Sequence, residues 1–142
     1  MNKYKKHTIS KREKKKITKA ISLYIQKREE IITAYLFGSF VGGQQFGDID
    51  IGVLVLNELE DQLGYEFELE IELTELVKYS VDVRVLNKAP ITFVQTVIRH
   101  GLIIIDNKPN MRSDFESYIL RKYFDFAPFR RRYLTEVVNA PL

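Results

Sequence analysis

Residues 36–55 read LFGSFVGGQQFGDIDIGVLV and combine a Gly-Ser pair, a glycine-rich spacer and two carboxylates within an otherwise apolar run. Asp48 and Asp50 stand two positions apart, and side chains at that spacing in a strand project from the same face. Carboxylates among apolar neighbours are costly unless a partner compensates their charge. Mg²⁺ satisfies such a pair when it binds one or two carboxylates together with substrate phosphates. The stretch therefore predicts a strand that carries a metal and phosphate site.

A third acid and the Gly-Ser pair extend this prediction. Asp82 shares one face of a predicted strand with Arg84, and it joins the pair if that strand lies alongside the first. Three carboxylates can hold two metal ions that activate an attacking oxygen and stabilise the departing one in phosphoryl transfer. Gly38 permits close approach of the backbone at a strand end, and Ser39 offers a hydroxyl and an N–H group to phosphate oxygens.

Composition limits the chemistry that the chain can perform. Its 142 residues predict one domain, 1–142, and they contain no cysteine and two histidines. A thiol nucleophile, a cysteine-ligated zinc and a Ser-His-Asp triad are therefore not expected, and carboxylates are the expected metal ligands. No apolar run approaches the ~20 residues of a membrane span, and a cytoplasmic location is the default expectation.

Charge is distributed unevenly along the chain. Residues 1–16 contain eight Lys or Arg and one Glu, which gives +7, so the other 126 residues sum to −4 within the net +3. This basic N-terminal segment fits either contact with nucleic acid or an acidic partner, or a solubilising start to a helix.

Hydrophobic periodicity predicts an α+β fold in which helices cover a small mixed β-sheet. Strands are expected at 31–37, 48–56, 81–86 and 102–105, and helices at about 10–29, 58–78, 90–101 and from 113 onward. The spacer at 40–47 has room for little more than one helical turn. Ser10 with Glu13, and Ser113 with Glu116, form capping boxes that predict the starts of two helices. Gly101 is predicted to end a helix as a left-handed C-cap, and Pro128 to kink or divide the last helix.

Two helices show patterns that bear on their surfaces. In residues 58–78 apolar side chains recur every four residues, with acidic residues between them: Leu59, Leu63, Phe67 and Ile71. This pattern predicts an amphipathic helix with a solvated acidic face. The C-terminal helical segment, about 114–138, is rich in aromatic residues beside Arg130, Arg131 and Arg132. Such a segment fits a partner interface, and it equally fits packing of a terminal helix on the core.

The order of these motifs resembles the DNA polymerase β-type nucleotidyltransferase superfamily. Within it, the chain is most similar to the minimal nucleotidyltransferase (MNT) antitoxins of prokaryotic MNT–HEPN toxin–antitoxin pairs, and VDVRVLNKAP (81–90) with VIRHGLIIID (97–106) carries the resemblance beyond the third acid. The resemblance implies a polymerase β-like nucleotidyltransferase fold, with Asp48, Asp50 and Asp82 as catalytic Mg²⁺ ligands. It also implies that Gly38 and Ser39 bind the triphosphate of ATP and that Asp82 helps to deprotonate the acceptor hydroxyl.

The resemblance further implies a function. The expected enzyme transfers AMP from ATP to a hydroxyl, expected to be a tyrosine, of a cognate HEPN-type ribonuclease toxin, and it forms a hetero-oligomer with that toxin without nucleic acid or membrane. The spacer Phe40–Gly47 is shorter than is usual in the family. This short spacer leaves open a non-catalytic antitoxin that binds nucleotide or toxin. A nucleotidyltransferase that acts on RNA or a small molecule is a second alternative, and the basic N-terminal segment fits RNA.

Overall fold

The computed structural model describes residues 5–139, with the side chains of 127–131 and 133–139 left out of the description. Within that range helices and strands alternate after an N-terminal helix. Their order is α1 (Lys11–Gln26), β1 (Ile31–Phe37), α2 (Ser39–Gly42), β2 (Ile49–Val55), α3 (Gln62–Val77), β3 (Val81–Val85), α4 (Ile91–His100), β4 (Leu102–Asp106) and α5 (Pro109–Asn139). No helix in residues 5–139 has the length and apolar character that crossing a bilayer requires. The α+β fold class is confirmed.

The four strands form one mixed sheet in the order β3-β2-β1-β4. β1 is antiparallel to both β2 and β4, whereas β2 and β3 run parallel because α3 carries the chain back between them. The two faces of the sheet pack on different helices. α1 and α3 cover one face with the fully buried Ile21 and Leu73, and α4 and α5 cover the other, where Val94 and Ile119 pack on Tyr35.

Side chains of α3 cover the outer edge of β3, which would otherwise present unpaired backbone groups. Two residues of α3 that lie eight positions apart accept hydrogen bonds from β3. Glu66 accepts from the N–H of Val85 at 2.8 Å, and the Thr74 hydroxyl accepts from the N–H of Val81 at 3.0 Å. Glu66 is therefore buried despite its charge. This edge contact fixes the rotation of α3 about its axis.

That rotation contradicts the amphipathic pattern predicted for 58–78. Leu63, Phe67 and Ile71 are 78%, 63% and 50% exposed, whereas Leu69 and Leu73 are fully buried. The physical reason is that Glu66 and Thr74 must face the edge of β3, which turns the predicted apolar series away from the core.

Helix boundaries agree with the sequence patterns in part. Ser10 caps α1 as predicted, since its hydroxyl accepts from the N–H of Glu13 at 3.1 Å. Gly101 is not left-handed, with φ −79°; a Cβ there would lie 2.4 Å from the Val97 carbonyl oxygen, so the position needs glycine for close approach. α5 begins at Pro109, four residues before the predicted cap at Ser113, and it continues through Pro128 without division.

Candidate active site

The structure brings the predicted acids together at one end of the β2–β3 pair. Asp50 lies directly opposite Asp82 in the parallel register, and Asp48 precedes the first residue of β2. Ile49 and Ile51 point into the core and are fully buried, so alternation directs Asp48 and Asp50 to the other face. Neighbouring strands lie about 4.8 Å apart, which places the carboxylates of Asp50 and Asp82 side by side.

Asp48 has an unsatisfied oxygen in this cluster. Its Oδ1 atom is buried and has no hydrogen-bond partner within the described part of the chain. Buried polar atoms nearly always have a partner, so this oxygen is available to bind a ligand. A carboxylate oxygen accepts only, so the ligand that satisfies it is a cation or a hydrogen-bond donor.

Asp50 experiences an environment that opposes its negative charge. Burial raises its pKa, and the charges of Asp82 and Asp48 raise it further, to about 6. A divalent cation bound between these carboxylates would reverse the effect, because it favours their ionised forms. The electrostatics therefore match a site whose charge is compensated by a ligand.

Gly38 lies against this carboxylate. Its φ is +79°, and a Cβ built there would stand 2.3 Å from Oδ2 of Asp50, so any other residue at this position strains the backbone and displaces the carboxylate. Ser39 follows as the exposed first residue of α2. The Gly-Ser turn and the acids predicted from sequence are thus neighbours in the structure.

Lys14 of α1 anchors the glycine-rich spacer, which the sequence patterns did not reveal. Its ammonium group donates to the carbonyl oxygens of Phe40 and Gly43, each at 2.9 Å, and lies 5.4 Å from the centre of the Phe40 ring. Phe40 in turn packs edge-on against Phe46, with 4.9 Å between the ring centres. The sequence does not reveal this role, because nothing in it distinguishes Lys14 from the other lysines of the same basic run.

A cavity of about 420 Å³, the acid cavity, opens beside the carboxylates. Its lining residues include Asp50, Glu66, Glu70, Asp82 and Arg84. Burial raises the pKa of Glu70, and so do its hydrogen bond to Asp82 and the charge of Asp82. The sequence patterns assigned the two glutamates to a solvated face. Glu66, Glu70 and Thr74 recur every four residues, and this spacing is the signal that could have identified the two glutamates as residues covering the edge of β3.

Arg84 provides positive charge on the wall of the acid cavity. Its guanidinium group stacks 4.8 Å from the centre of the Phe93 ring, and Phe93 packs edge-on against Phe37 with 5.6 Å between the ring centres. These aromatic contacts hold the guanidinium near Asp82, on the same face of β3.

The donor set fits a hard divalent cation. Within residues 5–139, no three acidic or histidine side chains form a group that could hold a metal by themselves. Mg²⁺ commonly takes one or two carboxylates and completes its shell with water and substrate phosphates. The unpartnered Asp48 oxygen and the adjacent Asp50 supply that number of ligands. The arrangement suits a cation that arrives with a phosphate-bearing substrate.

Comparison with known proteins identifies the family and the fold of the chain. No curated protein matches the chain. A solved toxin–antitoxin structure with AMP-PNP is similar at 26% identity and TM-score 0.69, over 88% of this chain and 98% of that one. A structure of a tri-AMPylated Shewanella oneidensis HEPN toxin in complex with MNT antitoxin is similar at 24% identity and TM-score 0.67, over 92% of this chain and 99% of that one. The structure of the toxin–antitoxin MntA–HepT is similar at 22% identity and TM-score 0.66, over 91% of this chain and 99% of that one. These two similarities show the fold. The family model "Polymerase beta, Nucleotidyltransferase" matches residues 19–110, well over half of the chain, and the chain therefore belongs to the polymerase β nucleotidyltransferase family.

Proposed function

We propose that this chain is a Mg²⁺-dependent nucleotidyltransferase that moves AMP from ATP to a tyrosine hydroxyl of a cognate HEPN-type toxin and thereby acts as its antitoxin. The observation that carries the proposal is the register of Asp50 with Asp82 beside the unpartnered Asp48 oxygen. The similar proteins support the choice of substrates, since one is described with AMP-PNP and another with a tri-AMPylated HEPN toxin.

Each residue of the site has a distinct role in this proposal. Asp48, Asp50 and Asp82 bind Mg²⁺, which when bound neutralises phosphate charge and orients the triphosphate. Gly38 leaves room for the triphosphate against Asp50, because no Cβ intervenes. Ser39 offers its hydroxyl and backbone N–H to phosphate oxygens. Lys14 keeps this turn in place through its hydrogen bonds to the carbonyl oxygens of Phe40 and Gly43.

The transfer is an in-line displacement at the α-phosphorus. Asp82 accepts the proton of the tyrosine hydroxyl, whose oxygen forms a bond to the α-phosphorus of ATP. The bond between that phosphorus and the α–β bridging oxygen breaks, and pyrophosphate leaves with the electron pair. The products are AMP-tyrosine, pyrophosphate and the proton held by Asp82.

The decisive experiment replaces two acids and follows label transfer. With ATP radiolabelled at the α-phosphate, the double variant Asp48→Asn with Asp50→Asn should label the toxin more slowly by roughly 100-fold or more, because the metal site is lost. Circular dichroism should show that the variant is folded. Glu29→Gln, at an exposed acid between α1 and β1, is the matched control and should label at the normal rate.

The result separates the proposal from its alternatives. Undiminished labelling by the double variant overturns the catalytic assignment. Wild-type protein that inhibits the toxin without labelling it indicates a non-catalytic binder. Label appearing in RNA or a small molecule, with none in the toxin, indicates a different acceptor.

The proposal extends to the assembly. Residues 1–142 would act as one domain in the cytoplasm, within a hetero-oligomer in which the C-terminal helical segment, about 114–138, contacts the toxin. Exposed aromatic side chains on the described part of this segment support such an interface: Tyr118, Phe124 and Phe126. Phe129, Arg130, Arg131 and Tyr133 belong to the same prediction, and their side chains lie outside the described ones.

A further inference from the structure

α3 presents an apolar stripe to solvent, defined by Leu63, Phe67 and Ile71. Each is at least half exposed, and the spacing of four residues aligns them along one side of the helix. The same helix buries Leu69 and Leu73 completely, so its attachment to the core does not require the stripe. Contiguous exposed apolar surface of this kind indicates an interaction site.

The apolar stripe lies at the entrance to the proposed active site. Leu63 lines the acid cavity, while Phe67 and Ile71 line a second cavity of about 520 Å³, the outer groove. Glu70 and Asp82 line both cavities. A molecule seated on the stripe is therefore next to Asp82, the residue proposed to take the proton from the acceptor.

Charge around the stripe selects the kind of partner. Helical spacing places Glu68 and Glu75 beside Ile71 on the exposed side, and both side chains are exposed. Glu68 also pairs with Arg28 at 3.7 Å, and Lys78 adds one positive charge to the outer groove, so carboxylates remain in excess around the stripe. Glu70 and Asp82 supply further carboxylates on the other side of the stripe. Phosphate-rich nucleic acid is unfavourable against such a surface, whereas a protein segment with Lys or Arg beside apolar side chains is complementary to it.

We propose that the apolar stripe of α3 is the docking surface for the acceptor protein. A segment of the toxin with apolar side chains flanked by Lys or Arg would cover Leu63, Phe67 and Ile71 and direct its tyrosine hydroxyl to Asp82. The inference rests on the proposed function for the identity of the acceptor. The binding surface itself follows from exposure, position and charge.

The test removes the apolar side chains without altering the nucleotide site. The double variant Phe67→Ala with Ile71→Ala should raise KM for the toxin at least ~10-fold in AMP transfer, with kcat changed by less than about twofold. The increase in Tm caused by ATP with Mg²⁺ should equal that of the wild type. Leu23→Ala is the matched control, because Leu23 is 52% exposed on α1 and lines neither cavity.

Calorimetric titration with the toxin, without ATP, measures docking independently of transfer. The Phe67 and Ile71 variant should bind with a Kd at least ~10-fold weaker, and Leu23→Ala should bind normally. If KM and Kd are both unchanged, the docking proposal is overturned while the transfer activity stands. If the wild type binds but transfers no AMP, the proposed function fails, and a weakened Kd still supports the docking surface. A change from dimer to monomer in light scattering, with Kd unchanged, overturns the proposal in favour of a second copy of this chain.

Discussion

Asp50 has a pKa near 6 in the folded protein, because burial and the charges of Asp82 and Asp48 oppose its ionisation. In the unfolded chain the same carboxyl has a pKa near 3.8. The folded state therefore binds the proton more tightly, so the stability of the metal-free protein falls as pH rises between these values. The cost is fully present above pH 6 and absent below pH 3.8.

Asp50→Asn should consequently stabilise the metal-free protein at neutral pH. We expect a gain of about 1–2 kcal/mol at pH 7.5 in EDTA, after allowance for the solvent-exposed part of the side chain. At pH 4 the gain should almost disappear, because wild-type Asp50 is then protonated. Thermal unfolding at the two pH values measures the difference. An equal gain at both would mean that charge is not the cause.

A substitution at Gly38 tests how closely the Gly-Ser turn must approach Asp50. In Gly38→Ala the positive φ costs about 1–3 kcal/mol, and the new methyl group meets Oδ2 of Asp50. We expect a lower Tm and no further stabilisation by ATP with Mg²⁺. Gly42→Ala is the control, because a Cβ at that position has nothing within 4 Å. Equal Tm and equal ATP response in the two variants would contradict this account of the turn.

At the scale of elements, the strands could be predicted and the orientation of α3 could not. Ile31–Phe37 and Val81–Val85 have the apolar, β-branched composition of strands, and both were predicted within a residue of their ends. The rotation of α3 depends on hydrogen bonds from the edge of β3 to Glu66 and Thr74. The apolar periodicity of α3 does not encode a requirement that arises in another element, so its four-residue apolar series indicated the wrong face.

Lys14 of α1 contacts the glycine-rich spacer, which is a second contact between separate elements. The variant Lys14→Met tests it. The variant loses two hydrogen bonds to the carbonyl oxygens of Phe40 and Gly43 but keeps an apolar stem over the Phe40 ring. We expect KM for ATP to rise about fivefold, corresponding to about 1 kcal/mol, with kcat nearly unchanged, because the triphosphate-binding turn is less well held. The exposed Lys11→Met in the same helix serves as control. A fall in kcat at constant KM would show that Lys14 acts elsewhere.

At the scale of the whole molecule, sequence alone indicated a mixed sheet but not its strand order. Asp50 aligns with Asp82 because β3 pairs with β2 in parallel, after the chain crosses over through α3. The sequence predicted that Asp82 joins Asp48 and Asp50 if the strands that carry them are neighbours. The structure meets that condition, and it also places the acids on the sheet face that α4 and α5 share.

α5 therefore matters for the stability of the face that carries the acids. Glu116 accepts a hydrogen bond from the Tyr35 hydroxyl at 3.0 Å, and Arg112 donates to Asp106 of β4 at 2.9 Å. Ile119 is 3% exposed and belongs to the core cluster on this face. These contacts connect α5 to both antiparallel strands at that side of the sheet.

Ile119→Ala tests whether the two faces of the sheet unfold as one unit. The cavity it leaves should lower the free energy of unfolding by about 2–4 kcal/mol, whereas Tyr118→Ala, at a 48% exposed position of the same helix, should change it by less than about 0.5 kcal/mol. In urea the transition of Ile119→Ala should move to lower concentration as a single step with the same m value, because β1 contributes residues to the cores on both faces. A second step that stays at the wild-type concentration would show instead that the α1–α3 face unfolds independently, and one cooperative domain would then be the wrong description of residues 5–139.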